Sequence, residues 1–389
     1  MRGFRIGSAF GIPVRLNWSF LVVLPIFAAF IAWDITALTG IINEVFAATI
    51  DPARLNEGVL PLVLGLASAL GLFAGVLLHE FGHSLVALRY GYEIESVTLW
   101  LLGGVASFEE FPEDWRHELV IAVAGPAVSV LVGVGSYAVF LGLPAGFAPA
   151  RFVLGYLAVL NVVLAVFNLL PAFPMDGGRI LRALLARSQP RAQATQQAAA
   201  VGKAFAFGLA ILGLFANFFL ILLAFFIYIA AASEAQQTSL QAAFEGVTIR
   251  DVMTPEDRLM TVSRDASVAD LLNRMFEERH TGYPVVQNGA LVGMVTLDDA
   301  SGVNEVERDA YRVEDVMATE VPTIGPGADA MEAFERMQEH GVGRLPVVDD
   351  DGDLVGIISR TDLMRAFDIV QKSGPPQGIR RTEPDIEIR

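Results

Sequence analysis

Cysteine is absent from all 389 residues. That excludes disulfides and thiolate metal ligands, so any zinc bound here must be held by histidine and carboxylate. Lysine is nearly as scarce, confined to Lys203 and Lys372, and arginine carries almost all the positive charge. An acidic, lysine-poor soluble part suits a high-salt cytoplasm, but a high-GC genome gives the same bias, and both readings stand. Charged residues of either sign reach only 18 %, against 53 % apolar, with a mean hydropathy of +0.51. A soluble protein of this length is not so apolar; the composition is that of a polytopic membrane protein with an appended domain. The net charge of −16 is unevenly placed: residues 245–389 hold 29 acidic and 15 basic residues, the first 244 only 14 and 12. The acidic surplus belongs to a soluble C-terminal part and argues against nucleic acid as a partner. Met1-Arg2-Gly3-Phe4-Arg5 lacks the pattern of a removable signal peptide.

A bilayer crossing needs ~20 mostly apolar residues. Stretches near 16–33, 60–88, 118–142 and 152–171 qualify, and 197–233 is too long for one span. Asn217 interrupts that last stretch, which predicts a hairpin of two helices and about six crossings in all, with five the alternative. Arg2, Arg5, Arg15, Arg89, Arg116, Arg179, Arg182, Arg187 and Arg191 then share one side, and only Arg54 and Arg151 take the other. The positive-inside rule puts both termini and the acidic domain in the cytosol, in a multi-pass protein of the cell membrane.

Inside the second apolar stretch lies His79-Glu80-Phe81-Gly82-His83. Histidines four apart share one helix face, and a glutamate beside them is the spacing of a zinc hydrolase: two metal ligands and a general base. The pattern is short and turns up by chance in soluble helices. Within an apolar span, however, two histidines and a glutamate are costly and mark a functional site. A catalytic zinc needs a third protein ligand and an open position for water. The candidate is Asp176 in Asn168-Leu169-Leu170-Pro171-Ala172-Phe173-Pro174-Met175-Asp176-Gly177-Gly178-Arg179, where prolines break the helix and paired glycines permit a sharp turn. Taken alone, Asp176 reads equally well as the cap of an ordinary turn.

These two motifs, in this order, resemble the site-2 protease family of intramembrane zinc metalloproteases, over roughly residues 1–235. The resemblance implies one zinc ion per chain held by His79, His83 and Asp176, with Glu80 activating water. It also implies that Asn168 positions substrate or stabilises the oxyanion, and that the substrates are transmembrane proteins. Ser96 to Ala106 is β-rich and precedes Glu109 and Glu110. In the family a similar segment forms a strand near the active site, whose edge could pair with an unwound substrate. Gly125-Pro126 also fits the family, as a packing or kink feature. His117 is read as an interfacial residue and not a ligand.

Residues 247–363 contain an internal repeat. Thr248-Ile249-Arg250-Asp251-Val252-Met253 parallels Arg312-Val313-Glu314-Asp315-Val316-Met317, Tyr283-Pro284-Val285-Val286 parallels Leu345-Pro346-Val347-Val348, and Leu291-Val292-Gly293 parallels Leu354-Val355-Gly356. At a period of about 60 residues, each copy alone has too little core. The pair is similar to tandem CBS domains. That resemblance implies adenine nucleotide (ATP or AMP) in the clefts between repeats, with Thr296, Asp299, Ser359 and Asp362 contacting ribose and phosphate, and association as a homodimer. A purely structural, dimerising module is the alternative. The loops are acidic, and Arg344 and Arg360 are the cations expected near phosphates. His280 and His340 do not align between copies and read as surface residues.

The expected architecture is therefore a polytopic α-helical membrane domain of about six transmembrane helices with a small membrane-associated β-segment, followed by a soluble α/β tandem CBS pair. Its boundaries are 1–235 for the metalloprotease domain, 236–246 for a linker, 247–305 and 306–372 for the repeats, and 373–389 for a disordered tail. The alternative is a CBS-gated transporter of metal ions. It gives no role to a general base at Glu80, and no inverted repeat is visible among the spans.

Overall fold

The computed structural model describes residues 3–100, 103–108, 112, 114–244 and 246–373. Glu109, Glu110 and nearly all of the expected tail lie outside the described residues. The chain divides into two compact units, Met1–Thr238 and Ser239–Arg389.

The first unit opens with an antiparallel hairpin, β1 (Gly3–Ala9) and β2 (Ile12–Asn17), that the hydropathy pattern did not disclose. Asn17 caps α1 (Trp18–Trp33) by accepting from the Ser19 N–H. The chain then bends by 72° into α2 (Ile35–Phe46). A short α3 (Pro52–Leu55) leads to the 30-residue α4 (Leu60–Arg89), which carries both histidines. Next come β3 (Ile94–Trp100) and β4 (Gly103–Phe108), then α5 (Trp115–Gly142), α6 (Ala148–Asn168), α7 (Asp176–Ala186), α8 (Arg191–Phe215) and α9 (Phe218–Phe244). Strands β1 to β4 form one sheet in that order, β2 running parallel to β3, with β4 at an edge.

Five helices (α4, α5, α6, α8 and α9) are long and apolar enough to cross a membrane, and counting the bent α1–α2 pair as one span makes six. The break between α8 and α9 falls at Asn217, as its polarity foretold; the side chain accepts from the Phe219 N–H and starts α9. Large apolar side chains on these helices face outward, Phe215 at 86 % exposure and Phe218 at 78 %. Water would penalise such a surface, and lipid does not. Inside, Ile31, Ile35, Ile42, Phe140, Phe152 and Tyr156 pack into one core joining α1, α2, α5 and α6.

The second unit begins within α9: residues 236–244, expected as linker, are its last turns, and Phe244 is buried in a core of this unit. It contains α10 (Ile249–Val252), β5 (Thr254–Pro255), β6 (Val262–Ser263), α11 (Val268–Glu278), β7 (Gly282–Gln287), β8 (Ala290–Thr296), α12 (Leu297–Ser301), α13 (Val313–Val316), α14 (Ala330–Glu339), β9 (Arg344–Val348), β10 (Leu354–Ser359) and α15 (Arg360–Ser373). The two repeats exchange their leading segments. Val247 and Ile249 pack with Ile324, Leu345 and Ile358 of the second repeat, and β5 pairs with β10. Val313 of the second repeat packs with Val268, Val285 and Val295 of the first.

The same device starts the helix after each hairpin. Asp299 accepts from the Thr296 N–H and hydroxyl at 2.8 and 2.6 Å, and Asp362 accepts from Ser359 at 3.1 and 2.5 Å. Thr296→Ala and Ser359→Ala should each cost about 1 kcal/mol. In calorimetry of the full chain, each should lower the melting transition of the second unit by roughly 2–4 °C.

Candidate metal centre and nucleotide clefts

α4 places His79 and His83 one turn apart, and α7 begins at Asp176, whose carboxylate meets both rings. His79 Nε2 lies 3.1 Å from His83 Nε2 and 3.1 Å from Asp176 Oδ2, and His83 Nε2 lies 3.2 Å from the same oxygen. All three residues are buried. Four ligands of a tetrahedral zinc at 2.0–2.1 Å stand about 3.3 Å from one another, so the triangle has the size such an ion requires.

The outer nitrogens fix which atoms face inward. His83 Nδ1 donates to the Ile121 carbonyl at 2.7 Å, which leaves Nε2 as the lone-pair nitrogen. His79 Nδ1 lies 2.9 Å from Ser129 Oγ. Both partners belong to α5, which thus orients both imidazoles of α4, as second partners of ligating histidines generally do. With both Nε2 atoms unprotonated, their lone pairs and the Asp176 carboxylate converge in a buried place that a cation would fill. The donor set of two imidazoles and one carboxylate suits zinc.

Glycines let the backbone come this close. A Cβ on Gly125 of α5 would lie 2.2 Å from His83 Nε2 and 2.7 Å from His79 Nε2. One on Gly104, in β4, would lie 2.5 Å from Glu80 Cγ, so the edge strand passes directly over the candidate base. Gly177 has no such freedom either, since an added Cβ would strike the Leu170 carbonyl oxygen at 2.2 Å.

Asn168 closes α6, and its Nδ2 donates to the Leu164 carbonyl at 3.0 Å, within its own helix. His117 stacks on Tyr90 with ring centroids 4.1 Å apart and bonds to the Tyr92 hydroxyl, in keeping with a packing role. The sequence reading missed the orienting partners Ser129 and Ile121 and the steric role of Gly125. The available signal was Gly125 and Ser129 four apart in an apolar span, the mark of a close helix approach.

Two clefts of the second unit, among the described residues, hold the candidate nucleotide contacts. One, of about 540 Å³, is lined by Thr296, Asp298, Asp299, Glu320 and Arg344 among others. The other, of about 450 Å³, is lined by Ser359 and Asp362 together with Arg258, Arg279, Arg344, Arg365 and His280. The four candidate residues thus divide two and two, and the cations gather in the second cleft. Arg344 is largely committed, donating to the Gly282 carbonyl at 2.5 Å and to Thr281 Oγ1 at 2.9 Å across the repeats. Burial pulls its pKa below the ordinary guanidinium value. Arg258, Arg279 and Arg365 escaped the sequence reading because nothing in the repeat pattern aims them at one cavity.

Replacing Gly125 by alanine sets a methyl group against the Nε2 atoms of both histidines. Purified Gly125→Ala should retain less than about a tenth of the parent's zinc by elemental analysis, with helix content unchanged by circular dichroism. Full retention would remove Gly125 from the site.

Two family models match the chain. Peptidase family M50 matches residues 67–146 and 144–209, and the CBS domain matches 249–302 and 313–369. A zinc metalloprotease of Methanocaldococcus jannaschii is 34 % identical over 370 residues, 94 % of this chain and 96 % of its own. A relative from Mycobacterium tuberculosis is 33 % identical over 399 residues, covering 98 % of this chain and 97 % of its own. Among solved structures, the site-2 protease from M. jannaschii is 33 % identical and covers 60 % of this chain and 95 % of its own, at a TM-score of 0.40. CBSX2 in complex with AMP is 31 % identical and covers 32 % of this chain and 98 % of its own, at 0.29. With 34 % identity over nearly its full length to a zinc metalloprotease and a matching M50 model, this chain belongs to the site-2 type of the M50 zinc metalloproteases and carries a tandem CBS pair.

Proposed function

We propose that this enzyme is an intramembrane endopeptidase that cleaves transmembrane segments of other proteins, and that adenine nucleotide in the CBS clefts regulates it. The observation that carries the first part is the convergence of His79, His83 and Asp176 beside Glu80 in helices built for lipid.

His79, His83 and Asp176 hold the zinc. When bound, zinc supplies a Lewis acid and brings the pKa of a bound water toward ~7. Glu80 takes the proton from the attacking water and returns it to the leaving nitrogen. A peptide bond inside a helix is already hydrogen-bonded and must be unwound before attack. The free edge of β4 offers the substrate replacement hydrogen bonds as an added strand, and Gly104 brings that edge to Glu80. Asn168, eight residues before Asp176, is assigned to positioning the substrate or its oxyanion on the family resemblance.

Orientation follows from the arginines, with both termini and the CBS pair cytosolic. Arg89 ends α4 roughly 15 Å of helix beyond His79, so the site lies within the bilayer nearer the cytosolic face. The cation-bearing cleft suits the phosphates of ATP, with Ser359 and Asp362 toward the ribose; Thr296 and Asp299 hold the corresponding places in the other cleft. Exposed apolar surface such as Phe276, 87 % exposed on α11, is available to a second copy in a homodimer.

Glu80→Gln should keep stoichiometric zinc and lose at least about a thousandfold in cleavage of a reconstituted transmembrane substrate, as expected for removing a general base. Residual cleavage near the parent rate would end the assignment of Glu80. Calorimetric titration of the full chain should show heat with ATP and AMP. Joint Arg258→Ala and Arg365→Ala substitution should weaken ATP by about tenfold or more and AMP less, because the lost contacts are charge-assisted bonds to the outer phosphates. No heat with either nucleotide would leave the pair a structural role.

A further inference from the structure

The three metal-facing groups come from two helices, α4 and α7, that share no sequence neighbourhood. α5 orients both histidines, through Ile121 and Ser129. Nothing described so far ties Asp176 to that same frame. Its helix is only 11 residues long and follows an irregular segment between Leu169 and Met175.

Arg182 supplies the tie. It sits on α7, six residues after Asp176, with a side chain only 3 % exposed. Its Nε donates to Glu118 Oε1 at 2.7 Å, and Nη2 lies 2.5 Å from the same oxygen. Glu118 is itself buried on α5, three residues before Ile121, the residue that holds His83. The guanidinium carbon also lies 5.2 Å from the centroid of the fully buried Phe173 ring, in the segment that leads into Asp176. A third contact, Nη1 to Glu234 Oε1 at 2.5 Å, reaches α9, and there the carboxylate is 34 % exposed.

We propose that Arg182 is a positioning residue for the metal centre: through Glu118 and Phe173 it locks the α7 carboxylate in register with the histidine pair that α5 holds. The proposal rests on the reading of His79, His83 and Asp176 as ligands. A buried ion pair is a poor source of net stability, because desolvation offsets most of the attraction. Its value here is directional. The planar fork fixes the rotation of α7 about its axis, and lysine cannot reproduce that fork. Glu118 is the deep anchor, and Glu234 takes Nη1 at the rim.

The test uses full-length protein in lipid nanodiscs, loaded with zinc or with cobalt as a spectroscopic probe. Arg182→Met and Glu118→Gln should each release zinc to a chelator about tenfold faster or more, as outer-shell losses do. Their cobalt ligand-field bands should shift, and kcat should fall with KM unchanged. Arg182→Lys should recover part of the loss, and Glu234→Gln should change zinc release by less than about threefold. A structural role alone would lower the melting temperature while leaving the cobalt spectrum as in the parent, and that result overturns the proposal. If Arg182→Met does not fold, Arg182→Lys decides: parent-like zinc release and cobalt spectrum overturn the proposal, and an intermediate shift supports it. A parent protein that binds neither ion would instead overturn the ligand reading itself, and this proposal with it.

Discussion

Two imidazole nitrogens and a carboxylate oxygen held about 3 Å apart, away from water, set the terms for the whole membrane unit. With both Nε2 atoms unprotonated the arrangement is repulsive when empty, and a cation would make it three corners of a tetrahedron. Each nearby feature serves that arrangement. α4 carries both histidines within one long apolar helix, the broken segment after α6 frees Asp176 to start a new helix, and glycines admit backbone where a methyl group would collide.

The architecture separates donors from supports. α4 and α7 provide the inward-facing groups, and α5 provides the hydrogen-bond partners that aim them. Such a division suits an enzyme working in lipid, where a misaligned polar group cannot fall back on water. Helices α4, α5 and α7 hold the centre on one side, and on the other β4, the last strand of the sheet among the described residues, passes Glu80.

The soluble unit applies a different economy. Neither repeat closes its own core, since Val247 and Ile249 fill the second and Val313 fills the first. The clefts left between the copies are unlike in charge, one acidic at Asp298, Asp299 and Glu320, the other lined by several arginines. A repeat that is symmetric in sequence pattern thus gives two chemically distinct cavities.

Much of this was legible in the linear text because its signals are local. The histidine pair, its neighbouring glutamate and the Asn217 break all lie within one or two helical turns, where spacing alone fixes geometry, whereas the capping bonds within Thr296–Asp299 and Ser359–Asp362, residues read from sequence as nucleotide contacts, came from the structure. The β1–β2 hairpin was hidden because its residues alternate too weakly to register. The exchange of leading segments was hidden because a repeat's period does not say which copy supplies a core residue. Residues 79, 83 and 176 were named as ligand candidates from motif and order, while their mutual distances, the α5 partners Ile121 and Ser129, and the Arg182 tie to Glu118 came only from the fold. The physical reason is that helix chemistry repeats every few residues along the chain, but a buried hydrogen bond between helices joins positions whose separation in sequence carries no information about their separation in space.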